Sequence, residues 1–442
     1  MNEPTLLHRR QFLKQSAAGL GLLILPSGII SGKTSPNAKL NIALIGAGGR
    51  ATAHFGSVSG ENVVALCDVD ANALAEAAVK FPNAKHYTDW RKCLDHKGLD
   101  AIVCATTDHT HAHVANWAML RGLHVYCEKP LANSVEEARV VRATYLANKD
   151  KIATQVGTQR HAGNNFKEVR QMIRDGVIGE LKEVAAWGNR QLRKPGYLPA
   201  LGEPPKHLNY DLWLGPSLFH PYNPGYFATK GPGTNCLNWN MYWDFGSGQV
   251  GDMGSHTMDL AWNALDAELP TAASATGDAF NPDISPVELA AHFKIPANSW
   301  RPEVKLSWYQ GGAMPKAPTE TAFKGVGHGA RFTGSKGILV SDFGSHVIIP
   351  PGTAPDARLT RKGVKGGFDF QGEWIAACKG GPQTSCNFDY AGKMIEMMLL
   401  GLIAYRTGSE LNYDPAAGKV TNSAAADALI RAKYREGWKL VG

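Results

Sequence analysis

Short apolar runs alternate with amphipathic stretches through the first third of the chain. "LNIALIG" (40–46), "NVVALCDVD" (62–70), "DAIVCATT" (100–107), "HVYCE" (124–128) and "IATQVG" (152–157) are apolar on both sides of the pleat. That is the pattern of strands buried on both faces of a parallel sheet. Between them lie "ANALAEAAVKF" (71–81), "HYTDWRKCLDH" (86–96), "AHVANWAMLRG" (112–122) and "SVEEARVVRATYLANK" (134–149), which predict helices. Ser134 and Glu137 form a capping box at the start of the last. The alternation predicts a doubly wound, Rossmann-type α/β sheet over 39–160.

The pattern changes after 161. "NNFKEVRQMIRDGVIGELKEVAAWGN" (164–189) predicts a helix, a glycine turn and a strand. "ELAAHFKI" (288–295), "EVKLSWYQG" (303–311) and "GILVSDFG" (337–344) predict further strands. With 442 residues in all, residues 161–442 are expected to form a second α/β domain.

The first strand–turn carries chemistry. In "GAGGRA" (46–51), Gly46, Gly48 and Ala51 occupy the positions of a G-x-G-x-x-G/A dinucleotide loop. Gly46 permits the tight turn, Gly48 close approach of a pyrophosphate, and Ala51 close helix–strand packing. Ala47, Gly49 and Arg50 complete the loop, whose N–H groups would face phosphates. Asp68, about twenty residues on, suits the adenosine ribose and disfavours a 2′-phosphate, so NAD is expected over NADP. Asp70 is expected to cap the next helix instead.

Two further stretches stand out. Glu128-Lys129-Pro130 lies at the carboxyl end of a strand, where open α/β sheets bind ligands. Pro130 restricts the geometry after the lysine, and a cis bond is one option. "GSGQVGDMGSHTMDLAWNAL" (246–265) starts glycine-rich and turns into a helix. Asp252 and His256 are four apart and share a face, with Asp259 nearly on it. An acid and an imidazole so placed suit proton transfer, and equally a cap and a packed histidine. Trp213, Trp239 and Trp243 lie in an aromatic, Asn- and Pro-rich stretch that could stack on sugar rings, although core packing is the default for tryptophan. Arg160 is a candidate substrate contact by position.

Thr106, His109 and His111 follow the strand at 100–107, in a loop expected to line the cofactor crevice. His109, His111 and His113 raise a metal site, but no further ligand accompanies them, and none is expected. The seven cysteines show no zinc spacing. Cys67, Cys104 and Cys127 read as small buried hydrophobes; Cys378 and Cys386 could bridge a loop, although the cysteines as a whole form no disulfide framework. The net charge of +7 is scattered without a basic stripe, which argues against nucleic acid.

The N-terminus reads as an address. "HRRQFLKQSAAGLGLLILPSGII" (8–30) pairs Arg9-Arg10 with a weakly hydrophobic stretch too short and glycine-rich to span a bilayer well. It resembles a twin-arginine export signal, with residues 1–38 covering signal and linker; retention as an N-terminal membrane anchor is the other option. A periplasmic or otherwise exported enzyme has no NAD pool around it, so its cofactor is expected to be tightly bound.

Together, the glycine loop, the E-K-P strand end and the D-x-G-x-H start of a later helix resemble the Gfo/Idh/MocA oxidoreductases from about residue 39 onward. The resemblance implies an N-terminal Rossmann domain and a C-terminal α/β domain with a large open, mostly antiparallel sheet. It implies a catalytic group of Lys129, Asp252 and His256, with Glu128 orienting the cofactor side and His111 matching a family histidine. Thr107 departs from the family's usual proline. The implied activity is hydride transfer at a hydroxyl or carbonyl of a sugar, glycoside or polyol, in a homo-oligomer. The alternative is a glycosidase or lyase that uses tightly bound NAD in an oxidation–elimination–reduction cycle.

Overall fold

The computed structural model describes residues 38–190, 194–227, 236–315, 327–354 and 357–440. Residues 8–30, expected to be an export signal, lie outside them. Among the described residues, no helix is long and apolar enough to cross a membrane.

Six strands form the first sheet: β1 (Asn41–Ile45), β2 (Asn62–Cys67), β3 (Lys85–Tyr87), β4 (Ala101–Cys104), β5 (His124–Cys127) and β6 (Thr154–Val156). All pairings are parallel, in the order β3-β2-β1-β4-β5-β6. Leu44, Val103 and Val125 are 0–2% exposed, as strands covered on both faces require. The order reverses direction beside β1, so the crevice for a ligand opens at the carboxyl ends of β1 and β4. Ser134 and Glu137 make the expected capping box on the helix Val135–Asn148.

Two local expectations change. His86 and Tyr87 belong to β3, and the helix behind them is only Trp90–Cys93, capped by Asp89. The helix expected at 112–122 starts earlier and spans Asp108–Leu120, so His109 and His111 join His113 on its first turns rather than lying in a loop.

The second sheet has ten strands: β7 (Leu181–Gly188), β8 (Ala272–Gly277), β9 (Leu289–Ile295), β10 (Val304–Gln310), β11 (His328–Gly334), β12 (Gly337–Ser341), β13 (Ser345–Ile349), β14 (Lys362–Gly363), β15 (Leu411–Asp414) and β16 (Lys419–Val420). It is antiparallel except where β7 runs parallel to β10. The helices Ser255–Leu265 and Phe388–Thr407 pack on one face. The second of these also packs on Val135–Asn148, which fastens the two sheets into one body. Residues 384–388 lie along β6: Val156 N–H donates to Cys386 O at 3.0 Å and Phe388 N–H to Thr154 Oγ1 at 3.1 Å. Cys378 and Cys386 are both buried and unpaired.

Candidate active site

The glycine loop closes on its neighbours as its composition requires. Gly46 has φ +78°, and a Cβ there would lie 2.7 Å from the Ala105 and Thr106 backbone. The turn is thus pressed against the end of β4. Gly46 and Ala47 N–H groups both donate to Cys67 O. Gly48 precedes a 3₁₀ turn, Gly49–His54, that carries Arg50 and Ala51. Asp68 accepts from Gly48 N at 2.9 Å and from Asp70 N at 2.9 Å, which sets its carboxylate beside the loop. Burial raises its pKa, against those backbone hydrogen bonds. Asp70 caps the next helix through Asn72 N.

Glu128 is tied to the segment that follows the glycine loop. Its Oε1 accepts from Arg50 Nε at 2.8 Å and meets His54 Nε2 at 2.9 Å, and the residue is 3% exposed. Burial alone would raise its pKa; the His54 hydrogen bond and the charges of His54 and Arg50 outweigh it and hold it at about 2. The carboxylate therefore anchors the glycine loop to the strand end. A Cβ on Gly157 would lie 2.7 Å from this carboxyl, which is why that position has none. Arg50 also reaches Gln159, whose amide oxygen accepts from Nη2 at 2.8 Å.

Lys129 follows, joined to Pro130 by a cis peptide bond. Its ammonium donates to Asp252 Oδ1 at 2.5 Å. Asp252 lies in a wide π turn, Val250–Gly254, that runs into the helix Ser255–Leu265. Two glycines let that turn pack tightly: a Cβ on Gly251 would sit 3.0 Å from Pro130 Cγ, and one on Gly254 would meet Met398. Arg190 Nη1 stands 3.7 Å from Asp252 Oδ2. Burial disfavours the charged lysine, but the Asp252 charge outweighs it and holds the pKa above the usual lysine range. Burial likewise opposes the Asp252 carboxylate, and Lys129 more than compensates, so its pKa is lowered.

His256 completes the group. Burial, and then the Lys129 charge, push its imidazole down to about 3, so it is neutral. Its Nδ1 is buried without a partner among the described residues. Lys129, Asp252 and His256 are thus brought together as the resemblance implied.

The three early histidines diverge. His111 is placed between Pro130 O, 2.7 Å from Nδ1, and Thr106 O, 3.1 Å from Nε2, and so ties the lysine segment to the end of β4. His109 meets Trp213 O at 3.0 Å and Phe245 O at 3.3 Å and binds the second domain. His113 packs edge-on against Tyr434 at 4.8 Å. Buried imidazoles need acceptors, and backbone carbonyls supply them; His109 and His111 are therefore positioned as braces of the crevice. His111 also lies with Cys104 and Cys127 in a group of ligand-type atoms within 4.8 Å of one another.

The tryptophan candidates serve packing. Trp213 is 7% exposed inside an aromatic cluster, against which Trp239 also packs. The Trp243 indole N–H donates to Asn281 O, and Arg406 lies over its ring at 5.0 Å. Asp259 leaves the catalytic group for His161, whose Nδ1 is 3.0 Å away, and Tyr390, whose hydroxyl donates at 2.6 Å.

Several site residues escaped the sequence reading. Phe343 touches His256 edge-on at 6.3 Å, stacks with His328 at 4.4 Å and carries the Arg160 guanidinium 5.2 Å from its ring centre. Arg160 is thereby placed beside the site. Asp108, at the helix start, is 6% exposed, and burial pushes its carboxyl well above the usual range. Cys236 is the only cysteine of the seven that is not buried; burial first and then Asp252 push its thiol up to about 12. Only Asp108 had a signal, the unusual "TTDH" context; the others depend on contacts between distant segments.

Residues 40–158 match the oxidoreductase family model described as an NAD-binding Rossmann fold, and 164–283 match its C-terminal alpha/beta domain. An inositol 2-dehydrogenase of Saccharopolyspora erythraea is 33% identical over 167 residues, 37% of this chain and 48% of that protein. The chain thus spans about half the length of that relative. An oxidoreductase domain protein of Kribbella flavida superposes with a TM-score of 0.58 at 19% identity, covering 84% of this chain and 98% of the other. A levoglucosan dehydrogenase solved with NADH and L-sorbose gives 0.58 at 17%, covering 85% and 99%. At these identities the two structures speak for the fold alone. The glycine loop with Asp68, the Lys129–Asp252 pair beside a neutral His256, and the two matched domain models together show that this chain belongs to the Gfo/Idh/MocA family of NAD-binding oxidoreductases.

Proposed function

We propose that the protein is an NAD-dependent dehydrogenase acting on a CH–OH group of a sugar or polyol. The observation that carries this is the Lys129–Asp252 ion pair at the carboxyl end of β5, with His256 at the start of the helix that continues from the Asp252 turn. The residues fit NAD: the Gly46–Gly48 turn packs closely on β4, and Asp68 with Asp70 beside it would repel a 2′-phosphate. NAD, when bound, supplies the acceptor for hydride. His256 takes the hydroxyl proton as the alcohol carbon becomes a carbonyl. Lys129 donates a hydrogen bond to the same oxygen and stabilises its developing negative charge. Asp252 keeps Lys129 charged and aimed, and Arg190 helps hold Asp252 ionised. The named activities of the inositol and levoglucosan dehydrogenases support a polyol or sugar as substrate.

The test is NADH formation at 340 nm across a panel of sugars and polyols, with mass spectrometry of cofactor retained through dialysis. NAD-dependent oxidation of at least one member is expected. Release of sugar from a chromogenic glycoside without added NAD, and with no net NADH, would replace this reading with redox-neutral cleavage. The stretch at 8–30 supports export, checked by cell fractionation.

A further inference from the structure

We infer that the sugar this site takes carries a carboxylate, and that Arg160 is the group that binds it; the inference rests on the dehydrogenase reading above. The cations around the site are otherwise engaged. Lys129 is held by Asp252, Arg50 by Glu128, and Arg190 stands against Asp252. Among the described residues, Arg160 has no acidic partner, and it is exposed. Its guanidinium lies 5.2 Å from the centre of the Phe343 ring, and the same ring meets the edge of His256 at 6.3 Å. The proposed base and the unpaired guanidinium therefore share one aromatic wall. The charge of Arg160 also reaches His256 and His328.

An unpaired arginine at a protein surface is ordinary; one whose backbone is held by a buried ionic network is not. Arg160 lies on a 3₁₀ turn, Gln159–Ala162. The next residue, His161, is 6% exposed, and its Nδ1 meets both carboxylate oxygens of Asp259 at 3.0 and 3.1 Å. Asp259 is 0% exposed and also accepts from Tyr390 at 2.6 Å. Asp259 lies on the helix of His256, three residues on. The turn that carries Arg160 is thus bolted to the helix that carries the base. A guanidinium resting on an aromatic face keeps its in-plane N–H fork free, and that fork matches a carboxylate in bidentate geometry. With the reacting oxygen at Lys129 and His256 and the carboxylate at Arg160, one sugar acid would be held at two points, which fixes the carbon presented for oxidation.

The experiment uses the full chain with NAD and matched neutral and acid pairs, glucose with glucuronate and galactose with galacturonate. Two measurements are made on wild type, Arg160→Met and Arg160→Lys: kcat and KM from NADH formation, and binding of each sugar to the NADH complex by quenching of NADH fluorescence. The expected result is a preference for the acid of each pair. Arg160→Met should weaken binding and raise KM for the acid roughly 10- to 100-fold, and by more than it shifts the matched neutral sugar. Arg160→Lys should restore part of the loss. Equal use of neutral and acid sugars, with Arg160→Met shifting both alike, would overturn the inference and leave the dehydrogenase reading standing. Arg160-dependent binding of the acids with no NADH from any sugar would do the reverse.

Discussion

Lys129 and Asp252, 123 residues apart in sequence, meet at 2.5 Å in a pocket where neither partner is well exposed. Each keeps the other ionised against the pull of burial. The pair is therefore a unit, and a change at one end alters the charge state at the other.

Replacement of the lysine tests the unit. Lys129→Ala is expected to retain NAD, because the glycine loop and Asp68 are untouched. Turnover should fall roughly 10²–10³-fold or more for loss of the charged donor. NADH titration by fluorescence and steady-state turnover separate the two; near-normal turnover would remove Lys129 from the chemistry.

Asp252→Asn removes the charge that holds the lysine pKa up, so Lys129 should titrate at lower pH. The activity profile should then gain an alkaline limb that the parent lacks over the same range. A pH–kcat profile from 6 to 10 decides this, and two superimposable profiles would contradict it.

The loop anchor makes a separate prediction. Glu128→Gln takes the negative charge from Arg50 and His54 but leaves Arg50, at 40% side-chain exposure, in contact with solvent. The cost should be modest, about 1–3 kcal/mol by chemical denaturation. NAD affinity should fall while kcat at saturating NAD changes little. An unchanged affinity would mean that the anchor does not shape the loop.

Acid should destabilise the fold through its buried neutral histidines. Burial lowers His109 and His113 to about 4 and His256 to about 3, below the free value of about 6.5. Between those limits the unfolded chain binds protons that the folded chain does not. The stability they provide is present above about pH 6.5 and is lost as pH falls through the folded values. A buried histidine of this kind contributes on the order of 2–3 kcal/mol across the window. Thermal midpoints measured from pH 7.5 to 4.5 should decline steadily. Replacing His113 with Gln should flatten part of the slope; a level profile would contradict the shifts.

A great deal of this was readable in the chain, for reasons of range. The parallel strands announce themselves by short, doubly buried apolar runs, and their alternation with helices implies parallel pairing but not the strand order. The glycine at 46 is legible because only a residue without Cβ can press a positive-φ turn onto the backbone at 105 and 106. Asp68 and the Ser134 capping box are local rules. The partners of Glu128 are not legible, because Arg50 and His54 lie 78 and 74 residues away. The Phe343 wall combines residues 160, 256, 328 and 343, and no spacing connects them. The contacts of Trp243 with Asn281 and Arg406 are long-range in the same way.

The strip at 384–388 along β6 has a practical consequence. β6 is the last strand of the first sheet, and its outer backbone and side-chain acceptors are met by Thr384, Cys386 and Phe388, which arrive more than two hundred residues later. A gene fragment ending near residue 160 would encode every NAD-binding element yet leave that strand bare, inviting pairing with the next molecule. The nucleotide-binding half is therefore not a portable module. Anyone grafting or shuffling it would need to carry the distant strip along or blunt the strand by design.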